Sequence, residues 1–339
     1  VAVTGFTSGF ALLLSLGLQA EAVQPPVPAA SGDPVAIPAP AVPLPVPLDP
    51  VDVTADEPRF VAPTRRDRIG RIWAPVLING QGPFRLVLDT GASHSALTPR
   101  VAQTLGIPLD TGQTVMLRGA TGSTRVPMVP VESLEIGDLL MYPRRLPIVP
   151  DALGGAEGVL GTDGLDNKRI HIDFRRDRIT IKRSRAERAE QGFITVPVQF
   201  MRGKLIVVDA YMGGVPTKAV IDTGGQATLG NAALKAALEE RRRRMELQTD
   251  QVIGATLDVQ EGDRGSTPAL MLGDVKVNGS FATFADFAIF EHWKMTDEPA
   301  ILVGMDVLGL LDALVIDYRR KELQVKLRQS GVRVSIQGL

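Results

Sequence analysis

Apolar and polar residues alternate in short runs along most of the chain, and glycine, proline, asparagine and aspartate break the runs. A two-residue period interrupted in this way predicts β-strands. Ala74–Asn79, Phe84–Leu88, Ile170–Phe174 and Arg178–Ile181 are the plainest cases. Helical signals are few. Thr98 and Pro99 supply an N-cap and a first-turn proline, Val101–Leu105 follow, and Gly106 closes the element. A second helix is expected from near Asn231 through Leu234 and Leu238 into Arg241–Arg244, whose cations suit a helix C-terminus. The pattern is that of an all-β protein with two short helices.

The pattern also repeats. A shift of 133 positions carries Gly80, Pro83, Val87, Asp89, Thr90 and Gly91 onto Gly213, Pro216, Val220, Asp222, Thr223 and Gly224. A shift of 143 carries Gly161, Asp163 and Leu165 onto Gly304, Asp306 and Leu308. A shift of 144 carries Ile172-Asp173-Phe174-Arg175-Arg176 onto Ile316-Asp317-Tyr318-Arg319-Arg320. Matches that keep their order over this length define two copies of one β-rich unit, placed at 59–187 and 193–330.

The segment before the repeat differs in kind. Phe10–Leu18 is an apolar run too short to span a bilayer, followed by the small-residue pattern Ala20-Glu21-Ala22. These features predict a signal peptide over 1–22, hence export to the periplasm or beyond and no stable membrane insertion after cleavage. Between Val23 and Pro50, ten of 28 residues are proline. That density excludes helix and central strand and predicts an extended tether over 23–58.

Composition narrows the chemistry. The 339 residues carry a formal net charge of −1, which favours no nucleic-acid partner. Cysteine is absent, so thiol nucleophiles, disulfides and thiolate metal sites are excluded together. His94, His171 and His292 are scattered without metal-ligand spacing, and no cofactor is called for. His94 reads as a solvated loop residue and Trp293 as core. Asp163, Asp166 and Asn167 match no calcium pattern.

Each copy carries an apolar strand that runs into Asp-Thr-Gly, as Leu86-Val87-Leu88-Asp89-Thr90-Gly91 and Ala219-Val220-Ile221-Asp222-Thr223-Gly224. One such tripeptide is an ordinary turn signal. Two, each later followed by an apolar-apolar-glycine run (Val159-Leu160-Gly161 and Leu302-Val303-Gly304), form a constellation. A pseudo-twofold axis would bring the two loop tips together. Paired carboxylates hold one proton between them, so one can activate a water while the other donates to a carbonyl. The glycines allow close backbone approach, and each threonine hydroxyl can anchor the opposite loop.

At these residues the chain resembles the retropepsin and pepsin superfamily of aspartic peptidases, over roughly Arg71 to Leu327. Asp89-Thr90-Gly91-Ala92-Ser93 is similar to the retroviral active-site loop, and Leu302-Val303-Gly304-Met305-Asp306-Val307-Leu308 to the closing segment of retrotransposon-type proteases. The resemblance implies a bilobal acid-protease fold, one closed β-barrel-like unit per half, with a cleft between them. It implies catalytic Asp89 and Asp222 in loops completed by Thr90, Gly91 and Ala92 and by Thr223, Gly224 and Gly225. Flaps are expected at Gly119-Ala120-Thr121-Gly122 and Gly254-Ala255-Thr256. The implied activity is endopeptidase action on extended or unfolded polypeptide, by a monomer because one chain holds both copies. A silent peptide-binding module, or an enzyme active only as a dimer, remains the alternative. Ala92 and Gly225 stand where pepsins carry a hydroxyl, so the pair should keep its proton to higher pH, with an optimum of roughly pH 4 to 6.

Overall fold

A computed structural model describes residues 71–136, 139–151, 153–202, 204–241 and 245–328, together with the backbone of strands 11–13, 60–63 and 334–336. Apart from Ala11–Leu13, paired parallel to Val252–Gly254, the expected signal segment and the whole of the expected tether lie outside the described residues. So does the arginine run beyond Arg241.

The protein is all-β and duplicated. Each half starts from a hairpin whose second strand delivers an Asp-Thr-Gly loop. In the first half, Trp73–Ile78 pairs antiparallel with Gln81–Leu88 across Asn79-Gly80. Both turn residues have positive φ, 51° and 72°, which suits a right-twisted two-residue turn. Asn79 Oδ1 also accepts from the amides of Glu132 and Ser133, which ties the turn to the next strand. In the second half, Leu205–Met212 pairs with Val215–Ile221 across Gly213-Gly214, again both at positive φ.

The second strand of each hairpin becomes apolar on both faces at its end. Leu86, Val87 and Leu88 are buried, as are Ala219, Val220 and Ile221. Such double burial is expected for a strand with covered faces and parallel pairing. Gly158–Leu160 runs parallel to Leu86–Leu88, and Ala300–Val303 runs parallel to Lys218–Ile221. The apolar-apolar-glycine runs thus lie beside the strands they echo.

The first helix spans Pro99–Thr104 and the second Ala232–Glu240. Asn231 caps the second by accepting from the Leu234 amide. Thr98 does not cap the first with its side chain: its hydroxyl donates to the Glu157 carbonyl 3.1 Å away and ties the helix start to the neighbouring loop instead. The second helix ends at Glu240, with Arg241 at its C-cap, short of the expected reach into the arginine run.

A six-stranded sheet joins the halves. At its centre, Lys168–Asp173 from the first copy pairs antiparallel with Leu311–Asp317 from the second, Arg169 opposite Asp317 and Asp173 opposite Ala313. These are the segments related by the shift of 144. Asp173 Oδ1 accepts from the amides of Arg175 and Arg176, and Asp317 Oδ1 accepts from those of Arg319 and Arg320. Ile170, Ile172, Leu314 and Ile316 enter a hydrophobic core that runs through both halves.

Candidate active site

The end of each buried strand is held by the parallel strand beside it. The Asp89 amide donates to the Leu160 carbonyl at 3.0 Å, and the Asp222 amide to that of Val303 at 3.1 Å. Chain direction at that point turns the two loops toward each other, and the threonines lock them. Thr90 Oγ1 donates to the Ile221 carbonyl and Thr223 Oγ1 to the Leu88 carbonyl, both at 2.7 Å. Each threonine amide donates in turn to the other threonine's hydroxyl oxygen, at 3.2 and 3.1 Å. Four buried bonds therefore tie the halves together directly behind the carboxylates.

Asp89 and Asp222 are fully buried. One oxygen of each, Oδ1, accepts two backbone amides: Gly91 and Ala92 at 2.8 and 3.0 Å on Asp89, and Gly224 and Gly225 at 2.8 and 3.0 Å on Asp222. Ala92 and Gly225 lack a hydroxyl, yet their amides donate to the carboxylates. The other oxygens, Oδ2 of each, are buried without a hydrogen-bond partner. The two carboxyls are close enough to shift each other's ionisation, and such a pair holds one proton between its members. Glycine is required beside them. A β carbon at Gly91 would lie 2.9 Å from the Asp222 carboxyl carbon, and one at Gly224 would collide with the Asp89 carboxyl.

Burial pushes both acids above the ordinary carboxylate range. Asp89 is raised well above it by desolvation and then by the neighbouring Asp222 charge. Asp222 is raised by burial to about 6, opposed by its bonds to the Asp89 side chain and to backbone amides. The two acids titrate as a pair that keeps one proton above the ordinary carboxylate range.

A further layer was absent from the sequence-based site. The Ser95 amide and hydroxyl both donate to Asp163 Oδ1, at 2.9 and 2.7 Å. In the second half the Thr228 amide donates to Asp306 Oδ2 and its hydroxyl to Asp306 Oδ1, at 3.0 and 2.7 Å. The Gly161 amide donates to Ser95 Oγ and that of Gly304 to Thr228 Oγ1. These pairs pin each loop to its apolar-apolar-glycine run. The signal was present, since the duplication relates Ser95 to Thr228 and Asp163 to Asp306 at the shifts already established.

The flap candidates are turns of two hairpins. Thr114–Arg118 pairs with Ser123–Val131, and Leu247–Gly254 pairs with Val259–Ser266. The tips cross between halves. Ala120 packs in a second-half cluster with Val207, Val220, Phe287 and Trp293, and its carbonyl accepts from the Ile289 amide at 3.3 Å. Ala255 packs in a first-half cluster with Val87, Ala92, Leu117 and Val159. Thr121 Oγ1 donates to the Asp258 carbonyl at 2.7 Å, tip to tip. The glycines lie at the crossing: Gly119 and Gly122 approach Ala255 and Asp258, and Gly254 approaches Thr121. The Thr256 hydroxyl is buried there without a hydrogen-bond partner. His94 is exposed and shares a 3.0 Å contact with Ser93, while Trp293 is core.

Two Asp-Thr-Gly loops meeting at a buried carboxyl pair, on a duplicated all-β frame, define the acid-protease class. A family model described as aspartyl protease matches residues 74–163 and again 208–307, more than half of the chain. The chain belongs to the aspartyl protease family, with one retropepsin-like match in each half. No curated protein matches it.

Proposed function

We propose that the protein is an aspartic endopeptidase in which Asp89 and Asp222 act on one water. The observation that carries this reading is the asymmetry of each carboxyl in the buried pair: Oδ1 held by two amides and Oδ2 buried without a hydrogen-bond partner. Ionised Asp222 takes a proton from the water as its oxygen adds to the scissile carbonyl carbon, while Asp89 gives its proton to the carbonyl oxygen. Collapse of the resulting gem-diol breaks the carbon–nitrogen bond, and a proton passes from the dyad to the departing amine.

The substrate is an extended polypeptide lying between the loops and the hairpin tips, with apolar side chains near the cut. The apolar clusters around Val87 and Val220 favour such side chains, and the Thr256 hydroxyl is placed to bond a peptide backbone. The hairpins must part to admit it, because the dyad is otherwise buried. Action as a monomer after export belongs to the same reading and rests on the sequence. The test is hydrolysis of denatured casein, with and without a statine-type transition-state analogue. Tight analogue binding without hydrolysis would leave a peptide-binding module and overturn the enzymatic reading.

A further inference from the structure

The two dyad loops are equivalent by duplication, yet they are backed by different residues. Behind the first loop, Thr162 continues the run Val159-Leu160-Gly161. Its amide and its hydroxyl both donate to the Ala92 carbonyl, at 2.9 and 3.1 Å. Ala92 in turn donates its own amide to Asp89 Oδ1 at 3.0 Å. This residue is therefore held at both ends, by its carbonyl and by its amide. Behind the second loop the shift of 143 puts Met305 in the place of Thr162. Methionine has no hydroxyl, and the Met305 amide donates to the Gly225 carbonyl at 2.8 Å.

A cation from the other half completes the first arrangement. Lys204 stands just before Leu205–Met212, the opening strand of the second hairpin. Its Nζ donates to the Thr162 carbonyl at 3.0 Å and to Asp166 Oδ2 at 2.8 Å. The two bonds differ in weight. The Asp166 side chain is 73% exposed, so solvent screens that ion pair, whereas the bond to the carbonyl is part-buried and charge-assisted. The shift of 133 relates Lys204 to Arg71, and the shift of 143 relates Asp166 to Gly309. Arg71 Nη2 donates to the Leu153 carbonyl of its own half at 2.7 Å. The second loop thus lacks both the hydroxyl and the acid that the first one has.

We propose that Lys204 is a positioning residue for the dyad: reaching across the junction between halves, it fixes Thr162, which fixes Ala92 and so keeps the Ala92 amide on Asp89. Lys204 touches neither the water nor the substrate in this role. It acts through two intervening residues, each held by a bond of 3.1 Å or less.

The charged groups along this line are Asp166 at Lys204 and Asp222 at Asp89. The Ala92 amide lowers the pKa of Asp89, because it bonds the ionised form. A slackened amide must then raise the titration of the pair. That sign separates positioning of the dyad from a merely structural link, whose loss lowers stability and leaves the titration in place.

Lys204→Met removes the charge at similar length and is compared with the parent by two readouts. The kinetic one rests on the hydrolytic reading above. The other does not: the aspartate carboxyls are titrated by carbon-13 NMR, with the dyad signals assigned from Asp89→Asn and Asp222→Asn. In Lys204→Met, kcat on a peptide cleaved by the parent should fall about tenfold, with KM changed by less than about twofold. The dyad titration should rise by about half a pH unit or more. Lys204→Arg, which can still donate to the Thr162 carbonyl, should restore most of both. Asp166→Asn keeps the bond from Lys204 to Thr162 and should move the titration by less than about a third as much. Should Lys204→Met fail to fold, Thr162→Val, which removes the hydroxyl bond to Ala92, should raise the titration in the same direction. If the parent cleaves nothing, the hydrolytic reading fails and the carboxyl titration alone decides this one. An unchanged dyad titration in folded Lys204→Met, or an equal shift in Asp166→Asn, would overturn the proposal.

Discussion

Asp89 and Asp222 show how burial changes the ionisation of an ordinary carboxyl. Both receive two amides, but Asp222 ionises at about 6, whereas burial and the Asp222 charge hold Asp89 well above the usual carboxylate range. Because the proposed chemistry needs both as a unit, Asp89→Asn and Asp222→Asn should each cost at least about a thousandfold in rate, and the double change little more. A folded single variant that keeps most activity on denatured casein would contradict the dyad. The same values set the pH response. The rate should rise as pH passes about 6, where Asp222 ionises, and fall once Asp89 loses its proton. That puts the acid limb at the upper edge of the optimum expected from sequence, because burial outweighs the amide donors. Stability should respond oppositely. Both native pKa values lie above the unfolded ones, so the native state binds more protons from the ordinary carboxylate range upward, and stability falls as pH rises through about 6 for Asp222 and until Asp89 also ionises. Asp222→Asn should remove much of this fall, giving a higher Tm than the parent at pH 7 and a smaller difference at pH 4.

At the scale of elements, the crossed hairpins are the parts that must move. A buried apolar tip on each side, the bond from the Ile289 amide to the Ala120 carbonyl and a tip-to-tip bond, Thr121 to Asp258, hold them. Thr121→Val removes that bond at nearly constant volume and should weaken closure by about 1 kcal/mol. Amides at both tips should then exchange several-fold faster by hydrogen–deuterium exchange, with the strands around Val87 and Val220 unchanged. Equal exchange in the two proteins would mean that the apolar tips and the Ala120–Ile289 bond keep the hairpins shut without it. Strand positions here were legible to within a few residues: Ala74–Asn79 became Trp73–Ile78, and Phe84–Leu88 extended back to Gln81. The cap of the first helix was not, because Thr98 found a carbonyl brought close by the fold, at Glu157. The crossing of the tips was equally hidden, since nothing local says which core receives Ala120 or Ala255.

For the whole molecule, the junction between halves carries a buried ionic network. Arg169 donates to Asp317 at 3.1 Å and to Gln324 at 2.6 Å, and Ser184 Oγ donates to Asp317 at 2.7 Å. Removing one member of such a pair leaves a charge buried alone, so Asp317→Ala should destabilise by roughly 3–5 kcal/mol. Chemical denaturation would measure it, and a change under 1 kcal/mol would show that water replaces the lost carboxylate. With both loops on one chain, activity per mole should not fall on dilution through the nanomolar range. A steep loss that concentration reverses would favour a dimer.

What the sequence determined by itself were the properties that repeat locally. Alternation of polarity specifies strands, the two shifted copies of Asp-Thr-Gly specify a duplicated unit, and the absence of cysteine excludes thiol chemistry. Only the tertiary structure decided what depends on groups far apart in sequence meeting in space. It joined Thr90 to Ile221 and Thr223 to Leu88, turned Gly91 toward Asp222, and gave Ser95 and Thr228 their partners in Asp163 and Asp306. It also raised both carboxyls above their ordinary range. Desolvation and a neighbouring charge set a pKa, and both come from burial and distance, which side-chain identity does not contain.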